Sequence, residues 1–140
     1  MINRELIDPK SIVVVGGSNN VHKPGGRLVR NLLDGKYKGE LYVVNAREDD
    51  VQGLKSYHSV QDIPDTEMAI ISIPGPSCPE AVDILAKQKN VKAFIVVSAG
   101  FGEETHEGAI LENQMLDSVN EAGASMIGPN CIGLMNMNFH

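Results

Sequence analysis

The sequence is poor in aromatic residues and in cysteine. Aromatic residues make up 4% of the 140 residues and tryptophan is absent. The interior must therefore be aliphatic, and binding of single-stranded nucleic acid by stacking of bases on aromatic rings is disfavoured. The two cysteines, Cys78 and Cys131, are far apart, without Cys-x-x-Cys spacing. This pattern predicts buried, reduced thiols in a cytoplasmic protein, with no zinc site and no other metal site.

The sequence also lacks an excess of positive charge and a long apolar run. Its net charge of −6 argues against binding to nucleic-acid phosphates. No apolar run approaches the roughly 20 residues of a membrane span, and residues 1–9 are too polar for a secretion signal. With 42% hydrophobic and 21% charged residues, the chain is not of a disordered class. We expect one cytoplasmic domain over residues 1–140, without a nucleic-acid or membrane partner.

Short apolar runs alternate with segments of helical length. The runs show no polar alternation, which is typical of parallel strands buried on both faces. This order predicts an α/β fold: a Rossmann-like, doubly wound open sheet of about five mainly parallel strands with helices on both faces. The five predicted strands are residues 11–15, 41–44, 68–73, 93–97 and 124–127.

Apolar residues at helical spacing predict three helices between these strands. Gly35 is placed to end the first helix, and Ser77 with Glu80 forms a Ser-x-x-Glu capping box at the start of the second. Residues 59–65 have room only for a short helix or turn. The apolar positions of the three helices are Leu28, Val29, Leu32 and Leu33, then Val82, Leu85 and Ala86, then Leu111, Met115, Val119 and Ala122.

Every predicted strand ends in small or turn-forming residues, which is typical of a ligand crevice at the carboxyl edge of the sheet. The first of these turns, residues 16–26, is rich in glycine and leads into a helix, an arrangement suited to phosphate. It matches neither the dinucleotide motif G-x-G-x-x-G nor the P-loop, so we do not expect ATP hydrolysis within this chain. No catalytic triad and no pair of carboxylates placed for general acid–base catalysis is apparent. His22, His58 and His106 are expected to be solvated, and His140, the last residue, would be poorly held.

The end of the second strand narrows the choice of ligand. NAD sites place an acidic residue there to bind the ribose hydroxyls, whereas this chain has Asn45 followed by Arg47. A neutral residue and an arginine favour a phosphorylated ribose, as in NADP or coenzyme A. An ion pair with the acidic residues 48–50 explains Arg47 at least equally well.

Five motifs occur in order along the chain. Together they resemble the N-terminal CoA-binding domain of NDP-forming acyl-CoA synthetases, the relatives of the succinyl-CoA synthetase α subunit, and the resemblance covers essentially the whole chain. Ala46 departs from the usual proline, and Arg47 stands where the family has lysine. The motifs are SIVVVGGS at residues 11–18, VVN at 43–45, IPGP at 73–76, SAGF at 98–101 and GPNC at 128–131.

The resemblance implies coenzyme A as the cofactor. Asn130 and Cys131 correspond to a helix start that faces a phosphorylated histidine in relatives, which fits the anion preference of helix N-termini. The glycine-rich turn and the resemblance together predict these CoA-binding residues: Gly16, Gly17, Ser18, Asn19, Asn20, Val21, Lys23, Asn45, Arg47, Ile73, Pro74, Val97, Ser98 and Ala99.

The resemblance also implies a reaction. Relatives convert acyl-CoA, ADP or GDP, and phosphate into the free acid, CoA and ATP or GTP, through an acyl phosphate and a phosphohistidine in a following domain. We therefore expect this chain to bind CoA or acyl-CoA, to have no catalytic residue and to be inactive alone. Its expected partners are the remaining ligase domains or a β-type subunit. A free-standing CoA-binding regulatory or adapter module and an NAD(P)-binding regulatory domain remain alternatives.

Overall fold

The computed structural model of the chain describes residues 8–97 and 106–128. No helix among these residues combines the length and apolar character needed to cross a membrane. Two short 3-10 turns, Val60–Asp62 and Gly75–Ser77, accompany the main elements. In chain order these elements are β1 (Ser11–Val15), α1 (Pro24–Asp34), β2 (Glu40–Val44), β3 (Asp50–Val51), β4 (Leu54–Tyr57), β5 (Met68–Ile71), α2 (Cys78–Gln88), β6 (Ala93–Val96), α3 (His106–Glu121) and β7 (Ser125–Ile127).

The strands form one sheet in the order β3-β4-β2-β1-β5-β6-β7. All neighbouring strands are parallel except β3 and β4, which form an antiparallel hairpin. The chain adds β2 and β4 on one side of β1 and then returns to add β5 on the other. The gap between the carboxyl ends of β1 and β5 is therefore the switch point, where such sheets bind ligands.

Alternate residues of β1 point to opposite faces, and both faces are covered. Ile12 and Val14 pack with α1 in one apolar cluster, whereas Val13 and Val15 pack with α2 and α3 in the other. All four side chains are at most 2% exposed. This arrangement confirms the predicted doubly wound α/β fold with helices on both faces.

The structure contains two strands, β3 and β4, that the sequence pattern did not predict. β3 has only two residues, and β4 (LKSY) places polar residues between its apolar ones because it is less deeply buried than the central strands. Neither therefore shows the continuous apolar run of a strand buried on both faces. All five predicted strands are present.

The helix boundaries give one confirmation and one correction. Gly35 caps the end of α1, as predicted, although Lys36 rather than Gly35 takes the positive φ of 55°. The predicted capping box at Ser77 is wrong, because the Ser77 side chain makes no capping hydrogen bond. Ser77 has helical backbone angles within the preceding 3-10 turn, whereas a capping serine needs an extended backbone.

Candidate functional site

An open pocket of about 560 Å³ lies at the carboxyl ends of β1, β2 and β5, at the switch point of the sheet. Its size is within the range of small-molecule sites. The residues that line it are Val15, Gly16, Gly17, Ser18, Lys23, Val44, Asn45, Ala46, Arg47, His58, Ser59, Val60, Gln61, Ser72, Ile73, Pro74, Ser77, Glu80, Ala81 and Ile84.

The turn between β1 and α1 forms one wall, and its glycines are required by close packing. Gly16 has a φ of +93°, and a Cβ added there would lie 2.1 Å from the Ser72 carbonyl oxygen. A Cβ on Gly25 would lie 1.9 Å from the Gly16 carbonyl oxygen. These glycines let α1 begin directly against the strand ends. Their presence therefore has a packing reason, and the case for a ligand must come from other groups.

The case for a ligand rests on the backbone N–H groups of this turn, residues 16–26, which we call the glycine turn. Several of them donate no hydrogen bond to any described residue, and Pro24, at the first position of α1, has no N–H to donate. Unpaired N–H groups at the start of a helix, together with the helix dipole, attract anions. The turn can therefore accept a phosphate group. The N–H groups without an acceptor belong to Gly17, Ser18, Asn19, Val21, Gly25 and Gly26.

Asn45 joins the turn after β2 to the glycine turn. Its Nδ2 donates to the Gly17 carbonyl oxygen at 2.8 Å, and its Oδ1 accepts the N–H groups of Arg47 at 2.8 Å and Glu48 at 3.0 Å. Both ends of the amide are thus engaged in shaping the site. No carboxylate stands at this position to accept hydrogen bonds from the two hydroxyls of an unphosphorylated ribose.

Two cationic side chains lie in the pocket. Lys23 and Arg47 both line it, and neither makes an ion pair with a described residue. Of the acidic residues after Arg47, Asp49 pairs instead with His58, at 2.8 Å. The expected pairing of Arg47 with its acidic neighbours is therefore not found. Both cations remain available to an anionic ligand.

The structure separates the predicted residues of the CoA site and of the anion site into three groups. Asn20 and Val21 are described but do not line the pocket, and neither does Val97, at the end of β6. Ser98, Ala99, Asn130 and Cys131 lie outside the described residues. The predicted residues that line the pocket are Gly16, Gly17, Ser18, Lys23, Asn45, Arg47, Ile73 and Pro74.

Asn19 also does not line the pocket, because its side chain turns toward the β3–β4 hairpin. Its Nδ2 donates to the Asp50 carbonyl oxygen at 2.9 Å, and its Oδ1 accepts the Gln52 N–H at 2.7 Å. Only the Asn19 backbone N–H is left for a ligand.

Sequence reasoning missed two walls of the pocket. One is the loop after β4, which includes His58, a residue expected to be merely solvated. The other is the part of α2 that includes Glu80 and Ile84. The available signal in the sequence was the glycine at position 53, between Val51 and Leu54. Glycine favours the positive φ, here 89°, of a tight hairpin turn, so it indicated a hairpin and hence β4 and its loop.

Cys78 begins α2, and its thiol is fully buried, as predicted. Its Sγ lies 3.6 Å from the carbonyl oxygens of Ile73 and Pro74, so it packs beneath the turn that follows β5. Within residues 8–97 and 106–128, no three His, Cys, Asp or Glu side chains are grouped so that they could hold a metal ion.

The fold and the pocket define a class of protein. A doubly wound parallel sheet with unpaired N–H groups and two unpaired cations at its switch point is typical of nucleotide-binding domains of the Rossmann type. Residues 10–137 match the family described as "CoA binding domain". The chain belongs to this family.

Curated relatives and solved structures agree with the family match. The chain is 41% identical over 134 residues to acetate–CoA ligase [ADP-forming] II of Archaeoglobus fulgidus, covering 95% of the chain and 20% of that protein. It is 38% identical over 133 residues to the α subunit of acetate–CoA ligase [ADP-forming] II of Pyrococcus furiosus, covering 94% and 28%. The chain thus spans less than a third of these relatives.

A solved structure of similar sequence has the same fold. It is the dinucleotide forming acetyl-coenzyme A synthetase 1 of Ca. Korarchaeum cryptofilum, in complex with phosphate and ADP. The TM-score is 0.82 at 34% sequence identity, over 91% of this chain and 27% of that one.

Proposed function

We propose that the chain binds coenzyme A in the pocket at the switch point. The observation that carries this proposal is the combination of unpaired N–H groups on the glycine turn with the unpaired cations Lys23 and Arg47. CoA carries its negative charge on phosphate groups, and such groups bind well to helix N-termini and to cationic side chains. Because the whole chain has a net charge of −6, these local groups rather than general attraction must hold the ligand.

Asn45 favours CoA over NAD. An NAD site would use a carboxylate at this strand end to accept hydrogen bonds from the ribose hydroxyls. Here the amide oxygen already accepts two backbone N–H groups, and Arg47 follows two residues later. A ribose that carries a phosphate is therefore the better ligand, as in CoA and also in NADP.

The other walls of the pocket suit the uncharged part of the ligand. Val60, Ile73 and Ile84 provide apolar surface within the pocket. We assign the pantetheine arm to this surface, leading past Pro74 toward the end of β6, where the resemblance implies contacts by Val97, Ser98 and Ala99. Asn130 and Cys131 are proposed as part of an anion site that faces a phosphohistidine.

We further propose that residues 1–140 serve as one CoA-binding domain of a larger, cytoplasmic NDP-forming acyl-CoA synthetase. The similar proteins named as ADP-forming acetate–CoA ligases support this proposal. In that enzyme an acyl-CoA, ADP or GDP, and phosphate would yield the free acid, CoA and ATP or GTP. This chain would hold the CoA moiety, and the remaining domains or a β-type subunit would carry the phosphoryl transfer.

Calorimetric titration of the 140-residue chain with four ligands tests the binding proposal. We expect affinity to fall in the order CoA, dephospho-CoA, NADP and NAD, and CoA binding to weaken as salt is raised. Tighter binding of NAD than of CoA would contradict the proposal. A CoA affinity that does not respond to salt would show that the two cations are not contacts.

Variants of the cations sharpen this test. Arg47→Gln and Lys23→Gln should each weaken CoA binding about tenfold, because a hydrogen bond to a charged group contributes about 1.5–3 kcal/mol. Lys38→Gln is the matched control, since Lys38 is an exposed lysine at the amino end of β2, away from the pocket. Equal effects of all three substitutions would contradict a specific phosphate contact.

Activity measurements test the larger proposal. Alone, the chain should form no ATP or GTP from acetyl-CoA, the corresponding nucleoside diphosphate and phosphate. Addition of the partner domains should produce the nucleoside triphosphate, and Arg47→Gln should raise the KM for acetyl-CoA. Nucleotide formation by the isolated chain would refute its assignment as a binding domain alone.

A further inference from the structure

Gln52 connects the β3–β4 hairpin to the glycine turn. Its Nε2 donates to the carbonyl oxygen of Ser18 at 2.8 Å and to that of Gly26 at 2.9 Å. Ser18 belongs to the turn after β1, and Gly26 belongs to the first turn of α1. One side-chain amide therefore holds both ends of the segment that carries the unpaired N–H groups.

These bonds fix the direction of an unpaired N–H group. The carbonyl of Ser18 and the N–H of Asn19 belong to one planar peptide unit and point in opposite directions. Because Gln52 holds the Ser18 carbonyl, the Asn19 N–H must point away from the hairpin. That N–H has no acceptor among the described residues.

Asn19 of the glycine turn also forms hydrogen bonds with the hairpin, as both acceptor and donor. The Gln52 N–H donates to Asn19 Oδ1 at 2.7 Å, and Asn19 Nδ2 donates to the Asp50 carbonyl oxygen at 2.9 Å. Val51, between Asp50 and Gln52, is fully buried in the same apolar cluster as Leu28 and Val29 of α1. The hairpin thus packs against α1 and also forms a hydrogen bond to the first turn of that helix.

Gln52 holds this position in spite of two unfavourable features. It has a φ of +50°, a conformation that glycine or asparagine adopts more readily. Its Oε1 is buried and has no hydrogen-bond partner within residues 8–97 and 106–128. Strained and unsatisfied groups persist where the surrounding structure enforces them, and they are concentrated at functional sites.

We propose that Gln52 is a positioning residue that presents the glycine turn to the ligand's phosphate groups. Gln52 itself does not line the pocket. It acts through the carbonyl of Ser18, which it draws toward the hairpin so that the Asn19 N–H faces the other way, and through the carbonyl of Gly26, which ties the first turn of α1 to the hairpin. This inference rests on the proposed binding of CoA.

Two substitutions separate positioning from stability. Gln52→Gly removes both bonds and suits the positive φ, so the fold should lose little stability. Gln52→Glu keeps the length but places a carboxylate, which cannot donate, against two carbonyl oxygens. The matched control is Asn90→Gly, which also has a positive φ (59°) and loses one side-chain hydrogen bond, to Asp65, far from the pocket.

The readout compares a ligand that carries phosphate with one that does not. Gln52→Gly and Gln52→Glu should weaken CoA binding about tenfold at a temperature where the chain is fully folded, a loss on the order of one hydrogen bond. Binding of pantetheine, followed by NMR titration, should change less than twofold, because it lacks the phosphates. Asn90→Gly should change neither affinity.

Two results would overturn the inference while the proposed function stands. One is unchanged CoA affinity in both Gln52 variants. The other is an equal loss of CoA and pantetheine affinity, which indicates a general structural role. If the unsubstituted chain does not bind CoA, the proposed function fails, and the inference is then judged on backbone NMR order parameters. Gln52→Gly should lower those of residues 18–21 in the free chain, and unchanged values would refute positioning.

Discussion

The amino and carboxyl ends of the sheet differ in whether their polar groups are paired within the protein. At the amino end, Lys10 donates its backbone N–H to Glu67 Oε1 at 2.8 Å, and the Tyr37 hydroxyl donates to the Pro9 carbonyl at 2.7 Å. At the carboxyl end, the glycine turn leaves backbone N–H groups unpaired, and Lys23 and Arg47 have no ion-pair partner among the described residues. The amino end thus pairs these polar groups within the protein, whereas the carboxyl end leaves polar groups with which a ligand can pair.

The parallel arrangement of the strands explains this difference. β1 and β5 each lead into their following helix at the carboxyl end, so the N-termini of α1 and α2 both lie beside the pocket. Unpaired N–H groups and positive helix ends therefore collect at one edge. The loops at the other edge lead into strands, and their polar groups pair with one another across the edge, as in the bond from Lys10 to Glu67. Substitutions at the two ends should accordingly have different effects on stability and binding.

The largest effect is expected for Gly16→Ala at the carboxyl end. The new Cβ would clash with the Ser72 carbonyl at 2.1 Å, and the φ of +93° is unfavourable for alanine. We expect a loss of about 3 kcal/mol or more in the free energy of unfolding, measured with denaturant.

The control for this prediction is Gly123→Ala, in the turn before β7. Gly123 also has a positive φ (68°), but nothing lies within 4 Å of the added Cβ. Its loss should be only about 1 kcal/mol, from the backbone alone. Equal losses at both glycines would mean that backbone strain, and not close packing, dictates glycine at position 16.

A smaller effect, on both stability and binding, is expected for Asn45→Asp. The carboxylate loses the donor to the Gly17 carbonyl and places an oxygen against it at about the same distance, 2.8 Å. The free energy of unfolding should fall by about 1–3 kcal/mol, and CoA binding should weaken in calorimetry.

Asn90→Asp is the counterpart at the amino end. It replaces the donor to Asp65 Oδ2, so it also brings two oxygens together and should lower stability. CoA affinity should not change. If Asn90→Asp weakened CoA binding as much as Asn45→Asp does, the functional division between the two ends of the sheet would be refuted.

Tyr37→Phe should remove about 1 kcal/mol of stability by deleting the hydrogen bond to Pro9, without an effect on CoA affinity. Burial, helped by Glu67, Asp8 and Glu40, raises the pKa of Tyr37 to about 12. Its contribution to stability is therefore present below pH 10 and is lost as pH rises from about 10 to 12. Thermal unfolding across this range should show a steeper decline for the unsubstituted chain than for Tyr37→Phe.

The smallest effect is expected at Asp83, which joins α2 to α3. Hydrogen bonds from Lys87 and Ser118 lower the pKa of Asp83 below its usual value. A lowered pKa stabilises the folded chain at neutral pH, and this stabilisation is lost as pH falls below about 4. Asp83→Asn should lower the melting temperature slightly at pH 7, with a difference that shrinks in acid. A difference that persists in acid would contradict the assigned cause.

The central strands could be predicted from the sequence because they are buried on both faces. A run such as Ile12–Val15 has no polar residue, since both of its faces lie in apolar clusters. Strands β3 and β4 could not be predicted in this way, because residues such as Lys55 face outward. The start of α2 was mistaken for a capping box because a Ser-x-x-Glu pattern does not reveal the backbone angles at Ser77.

The residues of the site likewise fall into those that could be predicted from the sequence and those that could not. The glycine turn, Asn45 and Arg47 follow strand ends directly, so their place at one edge was predictable from the strand order. His58, Gln61 and Glu80 reach the pocket only because the chain folds back from β4 to β5. The sequence around these three residues does not indicate that the chain folds back from β4 to β5.

The sequence by itself determined a parallel sheet and an edge of small residues, because apolar runs and glycines act on their immediate neighbours in the chain. The tertiary structure alone decided which groups at that edge stay unpaired. The Asn19 side chain bonds to the hairpin, Asp49 pairs with His58, and Arg47 makes no ion pair with the part of the chain that the structure describes. Such pairings depend on distances between segments far apart in sequence, and only the packed fold sets those distances.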